Sequence, residues 1–262
     1  MNELRKLYYV SYQKWLDYWV NGLGINVVKA EDIMVYNKAV IDRANLILRH
    51  DIDKFKPGKI IKTAEIEESF GIRGSYYILI EKRFYYKKEG CREFFLELQD
   101  RGHEIGLHVN SASVSRLAHR RVTWREEEDA LKRLDEDIVR FKEDFRLNTM
   151  CAHGSPFFEG YNNVKLMRDY NNIHPVSFQK FFKGQNADIN DSSNVMSIKT
   201  GRELIPRIDG ENDLSKIKNG DIMYFVNHPQ LYHGVGDDLL YTDQERGGKP
   251  YAFMDRYIYL EK

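Results

Sequence analysis

The sequence predicts an α/β protein built on a mostly parallel sheet or barrel, and three observations carry that prediction. Short apolar runs alternate with helix-period stretches between residues 44 and 226, the pattern of repeated βαβ units. Four of those runs end directly in His or Asp: HDID follows NLILR, HVN follows EIGL, HGSP follows TMCA and NHPQ follows DIMYFV. The length of 262 residues supports one sizeable core, with 42% hydrophobic and 31% charged residues, the balance of a folded chain.

Taken in order, the first element is a helix over about 3–19. Leu4, Leu7, Tyr8, Tyr12, Trp15, Leu16 and Trp19 fall on one stripe at three- and four-residue steps, and Gly22 and Gly24 stop it. A strand over 45–49 ends in His50-Asp51-Ile52-Asp53. After Pro57, residues 60–70 have helical period and stop at Gly71. Further strands are expected over 75–80, 104–108, 149–152 and 221–226, with helices over 91–99 and 124–145. The Asn/Asp/Ser-rich stretch 184–194 is an expected loop. There is no internal repeat and no convincing linker. The expectation is a single domain over 1–262, with 1–43 as a helical extension packed on it.

Composition excludes several classes. Lys plus Arg and Asp plus Glu both number 40, so no general electrostatic grip on nucleic acid is expected. No run of about 18 apolar residues exists, which excludes a helical membrane span. The N-terminal stretch mixes charges into its aromatics and lacks a secretory apolar core, so the expected compartment is the cytoplasm. Two cysteines, Cys91 and Cys151, are too few for a disulfide framework or a cysteine zinc finger. No GxGxxG, Walker A loop, HExxH or GxSxG is present, which removes the usual supports for nucleotide-dependent and serine-hydrolase readings.

Parallel α/β folds place their sites at the carboxyl ends of strands, where these His and Asp residues fall. Along an extended strand Asp51 and Asp53 point to the same side. Two such carboxylates can divide labour, one binding a metal and the other acting as base toward its water, or they can merely cap a turn. His103 and His108 differ by an odd offset and face opposite ways. His108, at the tip, is the site candidate, and His103, at the strand start, is assigned a structural hydrogen bond. His153 stands at a third tip, as a ligand or as a solvated turn residue. Gly154 and Ser155 follow it, with backbone N–H groups suited to a developing oxyanion. His228 stands at the fourth tip, as a proton donor near neutral pH or as a satisfied buried histidine. Cys151, inside an apolar strand, is assigned to the core. His119 lies among arginines at a helix start, and His174 and His233 lie in loops.

At these residues the chain resembles the polysaccharide deacetylase (NodB-homology, carbohydrate esterase family 4) superfamily, in its branch with an RHDVD-type first motif. LRHDID resembles the first motif, GHEIGLH the second and IMYFVNHPQ the last. CAHGSP stands where the third is usually of Arg-Pro-Pro-Tyr type. The matching region spans 44–232. The resemblance implies a distorted (β/α) barrel of about seven strands, a relative of the eight-stranded barrel, holding a divalent, Zn²⁺-type metal. It implies Asp51 as general base, Asp53 and His108 as metal ligands and His228 as general acid. The family's second His, one helical turn after the first, is Ala112 here. A third ligand must therefore come from elsewhere, with His153 the first choice and Asn110 and His119 in reserve.

The implied activity is metal-dependent amide hydrolysis, namely N-deacetylation of an amino sugar in surface-polysaccharide metabolism. The implied substrate is a saccharide or small molecule. Two alternatives stand beside it: a non-catalytic carbohydrate-binding or scaffold protein on a decayed barrel, and a hydrolase of ureides or cyclic amides.

Overall fold

The computed structural model describes residues 12–80, 89–112, 124–154, 162–172, 174–181 and 218–229, with strand segments 196–197, 207–208, 211–212, 232–235, 238–243 and 249–250. Eight strands make the main sheet: β1 (Asn26–Val28), β2 (Asn45–Ile52), β3 (Ser75–Ile78), β4 (Glu104–Val109), β5 (Thr149–Ala152), β6 (Val176–Ser177), β7 (Met196–Ser197) and β8 (Ile222–Asn227). Their order is β6-β5-β4-β3-β2-β8-β7. All pairings are parallel except β7 with β8. β8 takes one edge of β2 over Asn45–His50, so β1 and β3 share the other, pairing with its first and second halves.

The helices are α1 (Tyr12–Asp17), which runs on through a π-helical turn over Tyr18–Gly22, then α2 (Ala30–Met34), α3 (Pro57–Ser69), α4 (Cys91–Asp100), α5 (Trp124–Asp144), α6 (Asn163–Asp169) and α7 (Phe178–Phe181). α3 begins three residues before the expected start because Pro57 occupies its first turn, where a missing N–H costs nothing. α5 buries Ala130, Leu134, Ile138 and Phe141, the i, i+4, i+8, i+11 stripe of an amphipathic helix. Among the described residues no helix is long and apolar enough to cross a membrane.

β2 is buried at all of its positions. That is the mark of a central parallel strand covered on both faces. Alternation sorts the sheet into two layers. Ile52, Tyr76, Ile78, Ile105, Leu107, Val109, Met150 and Ala152 pack against α3, α4, α5 and α6 on the convex side. On the same side Leu46, Leu48, Met223 and Phe225 receive Tyr12, Leu16 and Trp19 of α1 and its π turn. The concave side holds Ile47, Tyr77, Cys151, Tyr224 and Val226, closed from below by Ala30, Ile33 and Met34 of α2 and by Phe178.

One expectation, barrel closure, is corrected. The sheet is a curled half-barrel, not a closed barrel: among the described residues nothing pairs β6 with β7, and each edge strand has only 2 residues with which to form a ladder. The first helix is described only from Tyr12, and Leu4, Leu7 and Tyr8 lie outside the described residues. Within the expected extension, Val27 and Val28 place β1 in the sheet and α2 plugs its concave floor.

Gly106 shows how tightly that floor is packed. A Cβ there would lie 2.4 Å from Tyr77 Cε1 and 3.0 Å from the Thr149 carbonyl oxygen, so the Tyr77 ring needs a glycine beneath it. Below it, Glu104 is fully sequestered. Its Oε2 accepts from Ser75 Oγ at 2.7 Å and from the Glu31 N–H at 2.9 Å, and its Oε1 accepts from Thr149 Oγ1. Burial, joined by the nearby Glu31 carboxylate, pushes the Glu104 carboxyl up to about 7 against these donors.

Two outcomes follow. Gly106→Ala should cost about 3 kcal/mol or more by overpacking, whereas Gly58→Ala, with nothing within 4 Å of its Cβ, should be neutral or slightly stabilising; urea unfolding of the two variants checks this. Glu104 titrates higher folded than unfolded, so its contribution is present below pH 4.5 and is lost as pH rises through about 7. Glu104→Gln should therefore remove on the order of 3 kcal/mol of the stability lost between pH 4.5 and 8, as read from denaturation midpoints across that range.

Candidate metal centre

The four strand tips that end in His or Asp converge on the concave side. Arg49, Asp51 and Asp53 share one face of β2 and its extension. His108 comes from β4, His153 follows β5 and His228 follows β8. His153 is held in place from both sides. Its N–H donates to the Val109 carbonyl at 2.8 Å, and its carbonyl accepts from Asn163 Nδ2 at 3.0 Å.

Asp53 is the hub. His108 Nε2 lies 3.4 Å and His153 Nε2 3.5 Å from its Oδ1, while His228 Nε2 lies 3.6 Å from its Oδ2. None of these distances is a good hydrogen bond. Asp53 Oδ1 and His153 Nδ1 are buried without a hydrogen-bond partner among the described residues. A tetrahedral ion with metal–ligand distances of 2.0–2.1 Å has ligand–ligand edges of about 3.3–3.4 Å. Asp53 Oδ1 thus stands at close to such an edge length from both His108 Nε2 and His153 Nε2, and the carboxylate–imidazole donor set suits a divalent, zinc-like ion.

Among the described residues two groups are spaced to hold a metal ion: Asp53, His108 and His153, and the fully buried Asp51, His108 and Cys151. They differ in what already occupies their ligand atoms. Arg49 Nε and Nη2 donate to Asp51 Oδ1 and Oδ2 at 2.7 and 2.6 Å, a bidentate pair inside the protein. Cys151 Sγ lies 3.2 Å from His108 Nδ1. The first group has an orphaned oxygen at its centre; the second is satisfied by a guanidinium and a thiol.

The electrostatics follow from burial and neighbours. Burial opposes ionisation of Asp53, but His108, His228 and His153 outweigh it and hold the carboxyl well below the usual range. Burial likewise opposes ionisation of Asp51, and the Arg49 cation prevails, keeping it a carboxylate. His108 is raised well above 6.5: desolvation works against its charge, but Asp51, the thiol and Asp53 overcome it. His153 goes the other way, down to about 4, because burial and the adjacent His108 both disfavour a second cation. Burial pushes the Cys151 thiol up to about 11.

Asp51, Asp53, His108, His153 and His228 are therefore together. Gly154 follows His153, half-buried; Ser155 and His119 lie outside the described residues. Asn110 is engaged elsewhere, its Oδ1 accepting from Asn163 Nδ2 at 3.2 Å. Ala112, the position at which the resemblance led to an expected second His, packs into the convex-side core. His103 sits on the far side of the sheet, where Nδ1 accepts from the Gly74 N–H at 3.1 Å and Nε2 lies 3.1 Å from Glu68 Oε1.

Sequence reasoning missed Arg49 and Asn163, and Cys151, assigned to the core and buried there, also borders the centre. Arg49 was signalled by parity, two residues before Asp51 on the same strand face. Cys151 and Asn163 carried no local signal. No family model matches the chain, and no curated protein or solved structure matches it significantly.

Because His108 must lose a proton to bind a metal through Nε2, metal affinity should fall as pH drops through its raised range. Zn²⁺ binding at neutral pH should release about one proton, measurable by calorimetry in buffers of different ionisation enthalpy. His153→Ala should weaken Zn²⁺ binding far more than His103→Ala, the far-face control. Equal affinity in the two variants would remove His153 from the ligand set.

Proposed function

We propose that this protein is a metal-dependent amide hydrolase of polysaccharide-deacetylase type, removing an N-acetyl group from an amino sugar. One observation carries the reading: His108 Nε2 and His153 Nε2 stand 3.4 and 3.5 Å from Asp53 Oδ1, a buried oxygen with no hydrogen-bond partner among the described residues, and a third imidazole, His228, stands 3.6 Å from the other oxygen of the same carboxylate. A donor group with ligand spacing and an adjoining proton carrier suits metal-assisted hydrolysis of an unactivated amide.

Asp53, His108 and His153 would hold the ion. When bound, a divalent ion of this kind polarises a carbonyl and lowers the pKa of water toward about 7. Asp51, kept ionised by Arg49, accepts a proton from the attacking water at its carboxylate. His228, through Nε2, delivers a proton to the departing amine nitrogen. Arg49 reaches Asp51 from its own strand, so the carboxylate is paired without an arginine from the third motif. The backbone beyond His153, at Gly154 and Ser155, is assigned to the oxyanion.

A second reading is a saccharide-binding protein without turnover. It is favoured by the complete burial of Asp51, both of whose oxygens are taken by Arg49.

The test uses the full chain, assayed for bound metal and then for acetate release from N-acetylated amino sugars and sugar nucleotides, with ureides and cyclic amides followed by ring opening. Metal-dependent acetate release is expected. Asp51→Asn and His228→Ala should each cost about 10²–10⁴ in rate while leaving the fold intact. Saccharide binding with no turnover by metal-loaded protein would establish the second reading; ring opening without acetate release would move the substrate to cyclic amides.

A further inference from the structure

Cys151 is a buried thiol that the proposed chemistry leaves unused, yet it touches two of the residues that chemistry needs. Its Sγ lies 3.2 Å from His108 Nδ1 and 3.7 Å from Asp51 Oδ1. The contact is built by the sheet itself. His108 and Cys151 are register partners in adjacent parallel strands, so their side chains leave the same face at the same level. The opposite edge of the His108 ring, Nε2, faces Asp53. The ring thus lies between a thiol and a carboxylate, with one nitrogen facing each.

We propose that Cys151 is a positioning residue: its sulfur accepts the His108 Nδ1–H and its own S–H donates to Asp51, which fixes the His108 ring with Nε2 toward Asp53 and His153. This rests on the metal-site reading. A histidine that ligates through one nitrogen needs its other N–H held by an acceptor, and loss of such a partner typically costs 10–100-fold in metal affinity. A carboxylate is the common partner. Here the nearest carboxylate, Asp51, is already bound by Arg49, and a protonated thiol can serve as acceptor and donor at once. The thiol therefore links the ligand His108 to the ionised Asp51 without adding a charge to a pocket that already buries Arg49, Asp51 and Asp53.

The experiment compares Cys151→Ser, Cys151→Ala and Cys151→Val in the full chain. Proton NMR of the metal-free protein is expected to show the His108 Nδ1–H as a downfield, slowly exchanging resonance in the parent and in the Ser variant, and to lose it in Ala and Val. Cobalt titration should show Ala and Val weakened about 10–100-fold with Ser retaining most of the affinity. Val leaves no cavity, so its loss cannot be assigned to one. The proposal is overturned if Ala and Val keep both the resonance and the parent affinity. It is also overturned if the cobalt-loaded parent shows a thiolate-to-cobalt charge-transfer band that Ser abolishes, which would make Cys151 a ligand. A parent chain that binds no metal would sink the hydrolase reading and not this one, because the ring-proton measurement needs no metal.

Discussion

A carboxylate with no exposed surface must be neutralised where it stands, and at Asp51 the neutralising group is Arg49. Both oxygens of Asp51 are met by a planar guanidinium from two residues earlier on the same strand face. That cation is itself tied to several elements. Its Nη2 reaches the Ala152 carbonyl in β5 at 3.4 Å, and its plane lies 5.8 Å from the Tyr77 ring in β3 and 5.2 Å from the Phe178 ring in α7. Removal of either partner would leave a buried, unpaired charge, the costliest defect a small core can hold. Through Arg49 the pair ties β2 to β3, β5 and α7 at the strand tips.

The reverse face of β2 is organised by a second charged group. His50 points to the convex side, where Nε2 lies 2.5 Å from Glu67 Oε1 and Nδ1 lies 3.0 Å from Asn227 Nδ2. Tyr12 and Tyr76 donate to the two oxygens of Glu67 at 2.7 and 2.9 Å. Burial opposes the Glu67 charge, but His50 outweighs it and lowers its titration. One carboxylate on α3 thereby ties together α1, β2 and β3 and, through His50, the residue before His228. Consecutive residues His50 and Asp51 thus serve opposite faces, one anchoring the sheet and the other facing the candidate centre.

The centre concentrates unlike charge states in a small volume. Asp51 and Asp53 are carboxylates, Arg49 is a cation, His108 is biased toward its charged form and His153 toward its neutral form. His153 is ready to ligate without losing a proton, whereas His108 must give one up. The division follows from position: His108 lies beside two carboxylates, while His153 faces Asp53 and the His108 ring, whose centroid is 5.0 Å away. Neighbouring titratable groups held in different states are a common feature of functional sites.

The positions of Asp51, Asp53, His108, His153 and His228 were legible in the sequence because strand ends and side-chain parity are local properties, written in runs such as NLILRHDID and EIGLH. The assignment of His103 to the side away from His108 came from the same parity. The short elements β1, α2 and β6 were not legible, since 2 to 5 residues carry too little period to distinguish strand from loop. The sequence by itself determined which side chains stand at strand tips and on which face. Tertiary structure alone decided which of them meet. The β4–β5 register set Cys151 beside His108, Asn163 braced His153 from a helix 10 residues on, and the 2-residue edge strands left the sheet an open half-barrel. Register and closure depend on pairings between distant segments, and no local pattern encodes a distance between strands.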